Sequence, residues 1–166
     1  MMYLRGAYLA ASFFFVLLKP SPQSRITGAP TSLVRSAKPI VVHVIAHDYA
    51  FEAPEVARAG LVTFDFENRG EKDHELLVGL LRPGMGASDI VAAHQKGTGF
   101  SKLQDAYLDG AAPGVLFATP HTRSPATFTL PFVAGRTYVL LCQLRDSVGA
   151  TQHAAMGMFR FMHATR

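Results

Sequence analysis

From Ile40 onward the chain is built of short apolar runs divided by turn residues, and several of the runs alternate with period two. In LVTFDFEN, Val62, Phe64 and Phe66 fall on one side while Thr63, Asp65 and Glu67 fall on the other, which is the pattern of a strand with one face in a core and one in water. VVHVIAHDYAF, rich in β-branched and aromatic residues, reads as a single strand ending in a proline turn. After the turn NRG, HELLVGLL predicts a strand from His74 to about Leu81, and further strands are expected at GVLFAT, ATFTLPF, RTYVLLCQL and MGMFRFMH. Seven or eight short strands with frequent turns predict an all-β Greek-key sandwich. One stretch departs from this pattern. ASDIVAAHQKG sets Ile90, Val91 and His94 on neighbouring helical turns, with Ser88 or Asp89 as cap, and predicts a short helix inside a long excursion from about Gly84 to Gly114.

The segment before Ile40 is of another kind. Residues 1–18, MMYLRGAYLAASFFFVLL, place Arg5 ahead of an uncharged run from Gly6 to Leu18, the pattern of an export signal. The run is shorter than the roughly 20 apolar residues that span a bilayer, so a cleaved signal is preferred over a retained membrane anchor. Residues 19–39 are a Pro/Ser-rich linker, and residues 40–166 form one domain. An apolar fraction of 49% with only 17% charged residues excludes a disordered chain. A net charge of +4 without a dense basic block speaks against nucleic-acid binding. The domain is expected outside the cytoplasm, as a monomer, periplasmic or tethered to a membrane through its N-terminus.

A single cysteine, Cys142, then becomes informative, because an exported thiol without a disulfide partner needs burial or a metal to protect it. Alternation along RTYVLLCQL puts Tyr138, Leu140 and Cys142 on one face and Val139 and Leu141 on the other, so Cys142 closes a strand where a loop begins. The loop returns through His153 and Met158, which gathers a thiolate, an imidazole and a thioether near one point. Soft and borderline donors of this kind suit copper, and two His, one Cys and a weak axial Met make a type 1 copper site. The second histidine must come from elsewhere, and His74, opening its strand after NRGEKD, is the candidate. Met156 competes with Met158 as the axial donor, though the adjacent Gly157 favours Met158. No nucleophile motif or phosphate loop is visible, and the chain is not expected to be an enzyme.

Asn68-x-Gly70-x-x-x-His74, followed far downstream by Cys142, His153 and Gly157-Met158, resembles the cupredoxins, the plastocyanin and azurin family of single-copper electron carriers. HDYAFEAPEVARAGLVTFDFENRG is similar to the opening strands of exported cupredoxin-like domains, and the resemblance runs from about Ile40 to Arg166. It implies a cupredoxin-like sandwich, one copper ion per chain held by His74, Cys142, His153 and Met158, and electron exchange with redox partner proteins. Cys142 would couple the metal electronically, Met158 would tune its potential, and His153 would be the exposed edge facing the partner. The chain departs from the small carriers in the ten residues, QLRDSVGATQ, between Cys142 and His153. A loop of that length is expected to leave the copper more exposed or differently angled, with a blue, green or red site, and it is the one feature pointing to catalysis at an open site. A copper-carrying or metal-free binding module is the alternative function.

Each donor has a plainer reading: Cys142 as a small core residue, His74 as a strand-end histidine on a backbone carbonyl, and Met158 as core filling beside Met156 and Met162. His43, His47, His94, His121 and His163 lack partners at ligand spacing and are expected on the surface or along strands. Asn68 is expected to brace the ligand loops through backbone hydrogen bonds.

Overall fold

The computed structural model describes residues 38–96, 100–110 and 112–166. The export segment and all but the last two residues of the linker lie outside them. Among the described residues nine strands make two sheets packed face to face. One sheet runs in the order β2 (Ala50–Glu52), β1 (Ile40–His47), β4 (Gly60–Asn68), β7 (Phe128–Phe132). The other runs β3 (Val56–Arg58), β9 (Phe159–Thr165), β8 (Thr137–Leu141), β5 (His74–Leu80), β6 (Val115–Ala118). This is the all-β sandwich expected from the alternation.

Alternation explains the packing between the sheets. Val62, Phe64 and Phe66 of β4 are fully buried and meet Leu76, Val78, Tyr138, Leu140, Met158 and Met162 from the opposite sheet. Strand β8 is different because both of its faces are buried. Tyr138, Leu140 and Cys142 point between the sheets, while Val139 and Leu141 point outward into a second cluster with Leu77, Ile90, Tyr107 and Leu108. Two helices, α1 (Ala87–Gln95) and α2 (Phe100–Tyr107), supply that outer cover. An almost unbroken apolar run is what a strand covered on both sides requires. Each such Leu or Val, fully buried, contributes about 1.5–3 kcal/mol relative to exposure.

Register brings the ends together. β1 and β4 pair in parallel, from Ile40 opposite Val62 to Ala46 opposite Asn68, so the turns that follow both strands emerge at one end of the sandwich. β5 runs antiparallel to β8 with Leu77 opposite Leu141, so β5 begins at that same end, beside the point where β8 stops.

Three expectations need correction. VVHVIAHDYAF is not one strand but a hairpin, β1 and β2, turning at Asp48 and Tyr49, and Tyr49 adopts a left-handed φ of 63°. This split, with the separate strand β3, gives nine strands rather than seven or eight. The excursion holds two helices rather than one, and the residue that caps α1 is Gly86 rather than Ser88 or Asp89, its N–H donating to Asp89 Oδ2 at 2.9 Å. Finally, His94 is buried against the sheet instead of lying on the surface. No helix among the described residues is long and apolar enough to cross a membrane.

Candidate metal centre

Three of the predicted donors meet at the shared end of the sandwich. His74 opens β5, Cys142 directly follows β8, and His153 starts a 3₁₀ turn, His153–Met156, that leads into β9. All three are buried, and their ligand atoms lie within 4.8 Å of one another. Cys142 Sγ is 3.4 Å from His153 Nδ1 and 4.0 Å from His74 Nδ1. A metal bound at about 2.0–2.3 Å to each donor in a near-trigonal plane would separate neighbouring donors by about 3.7 Å, and the two distances bracket that value. The donor set therefore fits a soft or borderline cation. Burial pushes the Cys142 thiol up to about 12, so without a bound cation it is an uncharged thiol and no nucleophile. The backbone N–H of Glu75 is directed at the sulfur from 3.5 Å.

Met158 is fully buried in the core between the sheets, whereas Met156 is 41% exposed. Gly157, at φ 105°, ends the 3₁₀ turn in a conformation that few other residues adopt, and the chain re-enters the sheet at Phe159, just after Met158. Cys142 N–H donates to Met158 O at 3.1 Å, and Cys142 O accepts from Ala154 N–H at 2.8 Å. The two ends of the loop are thus tied backbone to backbone at the thiol.

The outer edges of both imidazoles are also held. Nε2 of His74 lies 3.1 Å from Asp48 Oδ1, and Nε2 of His153 lies 3.1 Å from Asp146 Oδ1. With Nδ1 of each ring turned toward the sulfur, the geometry assigns the proton to Nε2, which donates to the carboxylate. Asp48 Oδ1 also accepts from the N–H groups of Glu71 (2.9 Å) and Lys72 (3.2 Å). Desolvation pushes its carboxyl upward, but the hydrogen bonds from His74, Lys72 and Glu71 together hold it below the usual range. Asp146 takes the Tyr49 hydroxyl at 2.6 Å, and that bond, with His153, keeps its carboxyl low as well. The Tyr49 ring stands edge-on to both imidazoles, its centroid 5.1 Å from that of His153 and 6.5 Å from that of His74.

Asn68 braces the turn before His74 as expected. It is buried, its Oδ1 accepts from Gly70 N–H at 2.9 Å, and its Nδ2 donates to Lys72 O at 2.7 Å and Ala118 O at 3.0 Å. Gly70 is required for a steric reason, since a Cβ there would stand 2.3 Å from Asp48 Oδ1.

Behind the ligand loop lies a second brace. His94 of α1 donates from Nδ1 to Gln152 Oε1 at 2.8 Å and accepts at Nε2 from the Tyr107 hydroxyl at 2.9 Å. The Tyr107 oxygen accepts from Gln143 Nε2 at 3.4 Å, and Gln152 Nε2 donates to Gln143 O at 3.1 Å. Gln143 follows Cys142 and Gln152 precedes His153, so the network grips the loop beside both candidate donors.

Two site expectations are overturned. His153 is not an exposed edge: it is 1% exposed, behind Asp146 and Tyr49. Nor does the ten-residue loop open the site. Its stem is pinched by the Gln152–Gln143 bond and by His153 N–H donating to Leu144 O at 2.9 Å, and only the tip around the fully exposed Val148 projects. Sequence reading missed Asp48, Tyr49, Asp146 and His94. An aspartate interrupting an apolar-aromatic run at Asp48 was the available signal for the turn.

No protein-family model and no curated protein matches the chain. Among solved structures it is similar to reduced auracyanin from Roseiflexus castenholzii, at 17% identity over 78% of this chain and 99% of that one, with a TM-score of 0.49. Auracyanin A, a "blue" copper protein from Chloroflexus aurantiacus, aligns at 20% identity over 76% of this chain and 99% of its own, with a TM-score of 0.45. Reduced rusticyanin aligns at 21% identity over 77% and 81%, with a TM-score of 0.43.

Proposed function

We propose that the chain is a mononuclear copper electron-transfer protein of cupredoxin type, acting outside the cytoplasm. His74, Cys142 and His153 would be the strong donors and Met158 the weak axial one. The observation that carries this reading is the convergence of one thiol and two imidazoles at a single buried point, each imidazole presenting Nδ1 to the sulfur. Copper held there would supply one-electron chemistry between Cu(I) and Cu(II).

The protein's own part is to keep the donors still. The Cys142 backbone is bonded to Met158 and Ala154, the Gln143–Gln152 bond fixes the loop stem, and Asn68 fixes the turn before His74. Donors locked in this way need little rearrangement when the charge at the centre changes. The closed edge around His153 supports electron transfer over catalysis, because substrate chemistry needs an open coordination position. Electrons would be exchanged with redox partner proteins through the edge covered by Tyr49 and Asp146. The N-terminal segment is proposed as the export signal, and fractionation of the native cells with N-terminal sequencing tests that.

Loading with copper tests the main reading. The oxidised protein should show an intense visible charge-transfer band that bleaches on reduction and is absent in Cys142→Ala. A colourless copper-bound protein would point instead to a copper-carrying module. Met158→Leu should shift the reduction potential while keeping the band, and Met156→Leu should change neither.

A further inference from the structure

Resting on the copper reading above, we propose that Asp48 and Asp146 are positioning residues that hold the two imidazoles by their Nε2–H groups and bias the centre toward Cu(II). The potential is thereby set lower than neutral partners would set it.

Each histidine has its own carboxylate at 3.1 Å, and the two carboxylates come from unrelated places, the β1–β2 turn and the ligand loop. Neither is placed by chance. Asp48 is held by the amides of Glu71 and Lys72 in a space that exists only because residue 70 is glycine, and Asp146 is held by the Tyr49 hydroxyl. An imidazole that donates its outer proton to a carboxylate is a more basic ligand at its inner nitrogen. A fixed negative charge close to the centre also favours the more positive oxidation state, an effect reduced but not removed by the water that reaches each part-exposed carboxylate. Both effects act in the same direction. The neutral network at His94 grips the same loop but adds no charge.

The test is the midpoint potential of the copper-loaded full chain, measured by spectroelectrochemistry alongside its melting temperature, for wild type, Asp48→Asn, Asp146→Asn and the double variant. Asparagine keeps an oxygen to accept from Nε2 and removes the charge. Each single variant should keep the visible band and shift the Cu(I):Cu(II) affinity ratio about tenfold toward Cu(I), a rise of about 59 mV for one electron. The double variant should rise by about the sum. Gly70→Ala displaces the Asp48 carboxylate while keeping every charge in the chain, so it should raise the potential too, and it stands in if Asp48→Asn fails to fold. A potential that stays put or falls while the band persists, even with a lower melting temperature, overturns the proposal and leaves both aspartates as loop braces only. A wild-type protein that takes up no coloured copper overturns the copper reading itself, and that result is seen before any variant is compared.

Discussion

The ligand loop is gripped from two sides, and the two grips are chemically opposite. On the outer side, two part-exposed aspartates meet the far edges of the two imidazoles, and the Tyr49 hydroxyl donates to one of them, Asp146. On the inner side, beneath α1 and α2, a buried and uncharged chain of His94, Tyr107, Gln143 and Gln152 holds the residues next to Cys142 and His153 without touching the ligands. Charge is placed where water can share the cost of desolvating it, and neutral groups are placed where water is excluded. The two sides should therefore separate by measurement, the inner one governing stability and the outer one governing the electronic properties of the centre.

Four substitutions or conditions probe that division, in decreasing order of effect. His94→Leu leaves the Gln152 Oε1 acceptor and the Tyr107 O–H donor buried without partners, at about 1–3 kcal/mol each, while the Tyr107 oxygen keeps Gln143 Nε2. Urea melts should show a loss of several kcal/mol, while the potential of copper-loaded protein moves less than in Asp48→Asn; a larger shift in potential than in Asp48→Asn would erase the distinction. Tyr107→Phe removes the hydroxyl that joins His94 to Gln143 and should cost about 1–2 kcal/mol by the same measurement. Its phenol is pushed up to about 12 by burial, so any variation of this loss with pH comes through its partner His94.

Acidification should act through His94. Burial presses its pKa below the usual histidine value, the Gln152 bond opposes this, and the charge of Arg145 adds to it. The unfolded chain takes up the proton first, below about pH 6.5. The network's contribution is thus complete above that pH and is lost as pH falls toward the lower folded value. In metal-free protein the stability difference between wild type and His94→Gln should shrink from pH 7 to pH 5. His74, also lowered by burial, is common to both proteins and cancels in the difference. A difference that stays constant over this range would count against a neutral, buried His94.

Tyr49→Gly should have the smallest effect on stability and the most local one. Glycine accepts the left-handed backbone that costs other residues about 1–2 kcal/mol, which offsets part of the lost ring contacts. The edge over His153 would then open, and added azide should perturb the copper band of this variant and not that of wild type. If azide perturbs both equally, Tyr49 does not close the site.

What the sequence made legible was whatever a periodic pattern encodes. The alternation of Val62, Phe64 and Phe66, and that of Tyr138, Leu140 and Cys142, assigned faces correctly, and the strand ends then placed the thiol and both imidazoles together. Residues set by long-range closeness with no period of their own were not legible. Asp48 and Tyr49 sit inside what looks like a continuous strand, because the short hairpin continues the apolar and aromatic composition on either side of its turn. Asp146 lies in a loop with no internal pattern, and its partner Tyr49 is 97 residues away. His94 reads from the sequence as a surface residue although it shares a helix face with Ile90, and its partners Gln152 and Tyr107 come from elements whose docking no local pattern encodes.

The final strand has a consequence for when the donors can assemble. β9 (Phe159–Thr165) pairs with both β8 and β3, bridging the hairpin-like return from Cys142 and the early part of the domain, and it anchors the carbonyl side of Met158 against the Cys142 amide. A nascent chain that has emerged only as far as Met158 would carry His74, Cys142 and His153 in its sequence without the strand that anchors the loop between the last two. Assembly of the cluster therefore waits on β9, and a cation offered before that strand has formed would meet one loose thiol and two imidazoles rather than a gathered set of donors.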